Sequence, residues 1–234
     1  MDVIPVIDVR HGTAVAAARG DRANYRPLET PLASSSDPVA VARGFAELFT
    51  FPVLYVADLD GIEGRGSNAS LAADLASAVT HARIWLDEGA RPHEAAQRIA
   101  EGVAMPIIGT ESLAGAADVT ALRALPPHAY VLSLDFKDDR FAGPPAVLAE
   151  AEHWPHSVIV MTLARVGSGE GPDRGRISEI VSRAGDRRVY GAGGVRGRPD
   201  IEALHRAGAA GVLIATALHR GMLKAGDLGE IAGL

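Results

Sequence analysis

The chain has 234 residues, 47% of them hydrophobic, which suits one α/β barrel domain over residues 1–234 better than two small domains. A formal net charge of -6 with no basic block argues against nucleic acid and anionic membrane as partners. With no cysteine, disulfides, thiol catalysis and thiolate metal sites are excluded; no apolar run approaches a membrane span, and MDVIPVID lacks signal-peptide features, so a cytoplasmic protein is expected.

In chain order, short runs rich in Val and Ile predict eight buried parallel strands. They lie at 3–7 (VIPVI), 53–57 (VLYVA), 83–86 (RIWL), 105–108 (MPII), 129–134 (AYVLSL), 157–161 (SVIVM), 187–190 (RRVY) and 211–214 (GVLI). The loop after the first, HGTAVAAARGDRANYRPLETPLASSSD, is long enough to be a lid; a solvated charged loop is the plainer alternative. Ala-, Leu- and Glu-rich helical segments separate the strands, several with good opening signals: Asp37-Pro38, Asn68 and Pro199-Asp200. Eight strands alternating with helices predict a (β/α)8 TIM barrel. A doubly wound open sheet is the alternative, although no G-x-G-x-x-G follows the first strand.

The two halves resemble each other. VIDVRHG around Asp8 matches LSLDFKD around Asp135, and VADLDGIEGRGSN matches MTLARVGSGEGPD. WLDEGARPHEAA matches YGAGGVRGRPDIEA, and PIIGTESL matches VLIATALH. Three of the four offsets agree within two residues, which predicts two duplicated half-barrels, the first with a longer opening loop.

Residues at the C-terminal ends of barrel strands point into the site. Asp8 and Asp135 end strands 1 and 5, across the mouth from each other, where one carboxylate can take a proton while the other gives one. Helix capping or ion pairing is the structural alternative; the matched placement in both halves favours chemistry. Thr162, ending strand 6, is placed to assist. AGGV at 192–195 and IATA at 214–217 form the place where barrels hold phosphate, so Gly193, Gly194, Ala215 and Thr216 are candidate phosphate contacts. A tight turn alone would also explain the two glycines. The eight histidines are scattered with no ligand-like spacing, and neither metal nor cofactor is expected. Trp85 and Trp154 read as packing residues.

Nearly the whole chain resembles the histidine-biosynthesis barrels, the HisA-type ribotide isomerase and the HisF-type cyclase. IPVIDVRHG, DPVAVARGF, YVADLDG, IIGT, LSLDFK, GPD, GAGGVRGRPDIEALHRAG and GVLIATALHRG stand in that family's order. The resemblance implies Asp8 and Asp135 as general acid and base, with Thr162 as the isomerase's threonine. It implies an Amadori rearrangement of an aminoaldose ribotide to an aminoketose without metal or redox cofactor, on a substrate with one phosphate for each half-barrel. The chain departs from the family in the loops that read the substrate. LDEGAR puts Asp87 and Glu88 where the family has glycines, leaving Gly89, Gly109 and Thr110 of the first-half cradle. LARVGSGEGPD is one residue shorter than the family loop and offers Leu163 where an acidic residue follows the threonine, and Ala215 and Thr216 replace a glycine and a larger residue.

These departures imply acid–base isomerisation of a phosphorylated aminosugar or ribotide other than the standard one. Asp87, Glu88, Arg22, Arg91, Asp58 and Arg165 are the candidate specificity residues. Asp87 or Glu88 would pair an amine at the far end of a singly phosphorylated substrate, or Arg22, Arg26 or Arg91 would neutralise them beside a second phosphate. RGDRANYRPL and SSSDPVAVARGF resemble HisA-like proteins that occur alongside genes for methanopterin and methanofuran, so lyase or condensing chemistry in one-carbon cofactor synthesis is an alternative. A non-catalytic barrel that binds a phosphometabolite is the third reading. The oligomeric state is left open.

Overall fold

Asp37 ends the first loop by accepting hydrogen bonds from the N–H groups of Val39 and Ala40. With Pro38 pre-set for the first turn, helix α1 begins there and runs Pro38–Leu48, burying Val41, Ala42 and Phe45 against the sheet. The computed structural model describes residues 1–17, 24–68, 70–137 and 140–234. Within them the strands are β1 (Asp2–Arg10), β2 (Val53–Asp58), β3 (Arg83–Asp87), β4 (Met105–Gly109), β5 (Val131–Lys137), β6 (Ser157–Thr162), β7 (Arg188–Ala192) and β8 (Gly211–Ile214). Each lies within a few residues of its predicted place.

The eight strands pair in sequence order, all parallel, and β8 returns to β1 with Asp2 opposite Gly211 and Pro5 opposite Ile214. The sheet is therefore a closed (β/α)8 barrel, and the open-sheet alternative falls. Helices α2 (Leu71–Ala78), α3 (Pro92–Glu101), α4 (Ala116–Ala124), α5 (Pro145–Ala149), α6 (Arg174–Ala184), α7 (Arg198–Arg206) and α8 (Ala225–Ala232) complete the outer layer.

Side-chain alternation along the strands divides the core in two. Ile4, Tyr55, Trp85, Ile107, Val131, Ile159, Tyr190 and Leu213 fill the barrel. Ile7, Leu54, Val56, Leu132, Leu134, Val158 and Val160 face the helices. Trp85 meets Tyr190 edge to face at 5.1 Å, and Arg188 pairs with Asp2 at 2.7 Å, closing the end opposite the strand C-termini. Trp154 is buried and donates its indole N–H to the Val147 carbonyl at 2.7 Å, a packing role as expected. Truncating a fully buried side chain such as Ile159 to Ala costs about 2–5 kcal/mol.

The long first loop opens as a short strand, Thr13–Ala16, antiparallel to β1, and returns through Arg26–Pro27. Residues 18–23, with Arg22 among them, lie outside the described residues. No helix among the described residues is long and apolar enough to cross a membrane.

Candidate functional site

The strand C-termini surround a cavity of about 920 Å³. Asp8 of β1, Tyr55 of β2, Asp87 of β3, Gly109 of β4 and Asp135 of β5 line one side; Gly193, Gly194, Ala215 and Thr216, following β7 and β8, line the other.

Asp135 is only 4% exposed. Its Oδ1 accepts from the Ser133 hydroxyl at 2.6 Å, and its Oδ2 accepts from the Glu111 N–H at 3.1 Å. Ser133 lies two residues earlier on the same strand, so the alternation that turns Asp135 inward turns Ser133 inward too. Burial pushes the Asp135 carboxyl up to about 7; the two hydrogen bonds hold it lower, and the charges of Asp87 and Glu111 push it higher. At neutral pH this group exists in both protonation states, as a group that gives or takes a proton must. Gly109 permits the arrangement, because a Cβ there would come within 2.9 Å of Asp135 Oδ2.

Asp8, Ala57 and Asp87 sit in one row across β1, β2 and β3. One residue pair below, the buried Tyr55 extends its hydroxyl up to Asp87 and donates to Oδ2 at 2.9 Å. Burial pushes the Tyr55 phenol well up, and the charges of Asp87, Asp8 and Asp135 push it further, so three carboxylates converge over this ring. Asp87 Oδ1 accepts from the Gly89 N–H at 3.2 Å.

Across the cavity, Gly193 and Gly194 have φ of +100 and +79. A Cβ on the second would approach the Gly171 carbonyl oxygen to 2.4 Å, so only glycine lets the β7 turn nest against the loop after β6. Thr216 opens a short helix, Thr216–His219, at the same rim, and Arg196 and Arg220 also line it. The glycine turn, this short helix and the two arginines thus border one end of the cavity.

Several expectations for individual residues are corrected by the fold. Glu88, the first residue past β3, turns the opposite way from Asp87 to α3, where Arg98 holds it at 2.6 and 3.0 Å, and it does not line the cavity. Arg91 neutralises neither carboxylate; it grips Asp118 with three hydrogen bonds of 2.7–3.2 Å. Gly89 packs against the Ile62 turn, where its Cβ would meet Ile62 Cα at 2.8 Å. Thr110 is fully buried and its hydroxyl accepts from the Asp135 N–H at 2.9 Å, bracing the strand end that carries the carboxylate. Asp58 is fully buried and accepts from Gly61 N, Asn68 N and Asn68 Nδ2, tying β2 to the following loop. Arg165 turns onto the Gly171 carbonyl at 2.8 Å and shapes the loop after β6. Arg26 is exposed on its short strand and does not line the cavity.

Thr162 is 4% exposed and stands beside Phe136, whereas Met161 stands beside Asp135 and lines the cavity. Its side chain belongs to the face of β6 that meets the helices. Its backbone carbonyl backs Gly193, 2.8 Å from where a Cβ would sit.

Sequence reasoning missed Ser133, Tyr55, Glu111 and Lys137. Three carried a signal: Ser133 and Lys137 flank Asp135 at a spacing of two, and Tyr55 is the one hydroxyl-bearing side chain in the apolar run of β2. Lys137 ion-pairs with Glu111 at 3.0 Å on the cavity wall. Among the described residues, no group of three or more His, Asp or Glu side chains is arranged to hold a metal ion.

Residues 2–224 match the family model described as histidine biosynthesis protein. The chain is 33% identical to a phosphoribosyl imidazole-carboxamide isomerase of Thermococcus kodakarensis, over 99% of this chain and 97% of the relative. It is 29% identical to the same-named isomerase of Pyrobaculum aerophilum, over 95% and 97%. An uncharacterised protein of Methanocaldococcus jannaschii is 30% identical over 99% and 97%.

Proposed function

The chain belongs to the histidine biosynthesis protein family, and from that premise we propose that it is a barrel isomerase acting on a phosphorylated aminosugar or ribotide. The observation that carries this reading is the inward-facing pair Asp8 and Asp135 in one cavity, with the Asp135 carboxyl at about 7. In an Amadori-type rearrangement, protonated Asp135 donates to the ring oxygen of the aminoaldose as the C1–O bond breaks and the nitrogen lone pair forms an iminium. Asp8 then takes the proton from C2, and the electrons move into a C1–C2 double bond that neutralises the iminium. Loss of the O2 proton and protonation of C1 give the aminoketose. Gly193, Gly194, Ala215 and Thr216 hold the substrate phosphate, and the Thr162 carbonyl supports that turn.

The name of these isomerases contains two phosphoribosyl groups. Asp87 inside the first-half cradle, and the engagement of Thr110 and Gly89 elsewhere, support a different substrate for this chain. The test is turnover of phosphorylated aminoaldoses in deuterated water, the histidine-pathway ribotide included. The expected result is deuterium at C1 of an aminoketose from at least one aminosugar phosphate, with the ribotide converted poorly. Asp8→Asn lowers that turnover by about 10²–10⁴ while the protein still binds sugar phosphate. Efficient ribotide turnover overturns the change of substrate, and binding with no turnover of any aminoaldose overturns the isomerase reading.

A further inference from the structure

The two ends of the cavity have opposite polarity. The β7–β8 end presents the glycine turn, Thr216 and Arg220. The β3–β5 end presents Asp87, Glu111 and Asp135, and its one cavity-lining cation among the described residues, Lys137, is ion-paired with Glu111. Two backbone donors at that end are already committed: Gly89 N–H to Asp87 Oδ1 at 3.2 Å, and Glu111 N–H to Asp135 Oδ2 at 3.1 Å.

Asp87 is held in place by the buried Tyr55 hydroxyl at 2.9 Å. Both of its oxygens therefore accept a hydrogen bond, one from a side chain and one from the backbone. A phosphate entering this end would have to displace a seated carboxylate, break two hydrogen bonds and remain beside Glu111 and Asp135.

We propose that Asp87 is a specificity-determining residue that occupies the place of a second phosphate. The site then accepts a sugar with one phosphate, bound at the β7–β8 end, and an uncharged or cationic group at the β3–β5 end. The proposal rests on the reading that the cavity binds a phosphorylated sugar. It assigns the discrimination to Asp87 and not to its neighbour, because Glu88 faces Arg98 outside the barrel wall.

The experiment is calorimetric titration of the wild type and Asp87→Asn with ribulose 5-phosphate and ribulose 1,5-bisphosphate, a pair differing in the second phosphate. Asparagine is nearly isosteric, and an unchanged melting temperature establishes that the fold is retained. The wild type should bind the monophosphate at least as tightly as the bisphosphate, and Asp87→Asn should shift the ratio toward the bisphosphate by about tenfold or more. Gain of the bisphosphate by Asp87→Asn alone, where the wild type binds neither compound, also supports the proposal. A wild-type preference for the bisphosphate, or a ratio unmoved within threefold while the monophosphate binds, overturns it and leaves the sugar-phosphate reading standing. Binding of neither compound by either protein overturns both.

Discussion

Replacing Asp135 by Asn should stabilise the protein in mildly alkaline buffer and do much less in acid. The folded-state carboxyl lies at about 7 against an ordinary 3.8. A raised carboxyl keeps its proton in the folded chain over a range where the unfolded chain has lost it. Stability is therefore lost as pH rises from the ordinary value to about 7, and is flat above that. The full loss is about 4 kcal/mol, of which roughly 2–3 kcal/mol falls between pH 5 and pH 8.5. The amide removes this titration. Its carbonyl oxygen can still accept from the Glu111 N–H while its N–H₂ donates to the Ser133 hydroxyl, which then accepts where it had donated, a change that costs about 1 kcal/mol or less at every pH. The pH-dependent part is thus the diagnostic one. Thermal unfolding of both proteins across this range should show the difference, variant minus wild type, growing by roughly 5–10 °C toward alkaline pH. A difference constant across the range would refute the argument that Asp135 is buried as a neutral acid.

Ser133→Ala removes a hydrogen bond that favours the ionised Asp135, so the pH at which activity falls on the alkaline side should rise by about one unit; an unmoved limb counts against Ser133 as a positioning residue. Gly194→Ala forces a Cβ to 2.4 Å from a carbonyl oxygen at φ +79, and a calorimetric scan should show a loss of about 1–3 kcal/mol together with loss of sugar-phosphate binding. Glu88→Gln breaks the pair with Arg98. It should cost about 1 kcal/mol in denaturant unfolding and leave ligand selectivity unchanged, the opposite pattern from Asp87→Asn.

The barrel was legible because buried parallel strands are written as continuous apolar runs, and each strand end fell where a run gives way to Asp, Gly or Thr. The pair Asp8 and Asp135 was legible for the same reason, as charge at the end of an apolar run. Errors arose where placement depends on which face of the wall a residue joins. Trp85 and Asp87 point in, so period two alone sends Glu88 outward, but its partner Arg98 comes from one turn of the next helix and no local pattern announces it. Arg91 looked available until the fold brought Asp118 from α4 to meet it. Thr162 shows a deeper limit. Whether it or Met161 stands beside Asp135 is set by the stagger between β5 and β6, a property of barrel closure that neither strand contains.

The uneven charge of the cavity also bears on orientation. Two equivalent anion cradles facing each other would admit a ligand either way round, and one of the two complexes would present the wrong carbon to Asp8. Such a backward complex ties up enzyme and depresses kcat and KM together. Under the role proposed for Asp87, with that carboxylate seated at one end and the glycine turn at the other, a singly phosphorylated ligand would enter in one direction only. The carboxylate proposed to narrow the choice of substrate would thereby also keep binding events productive.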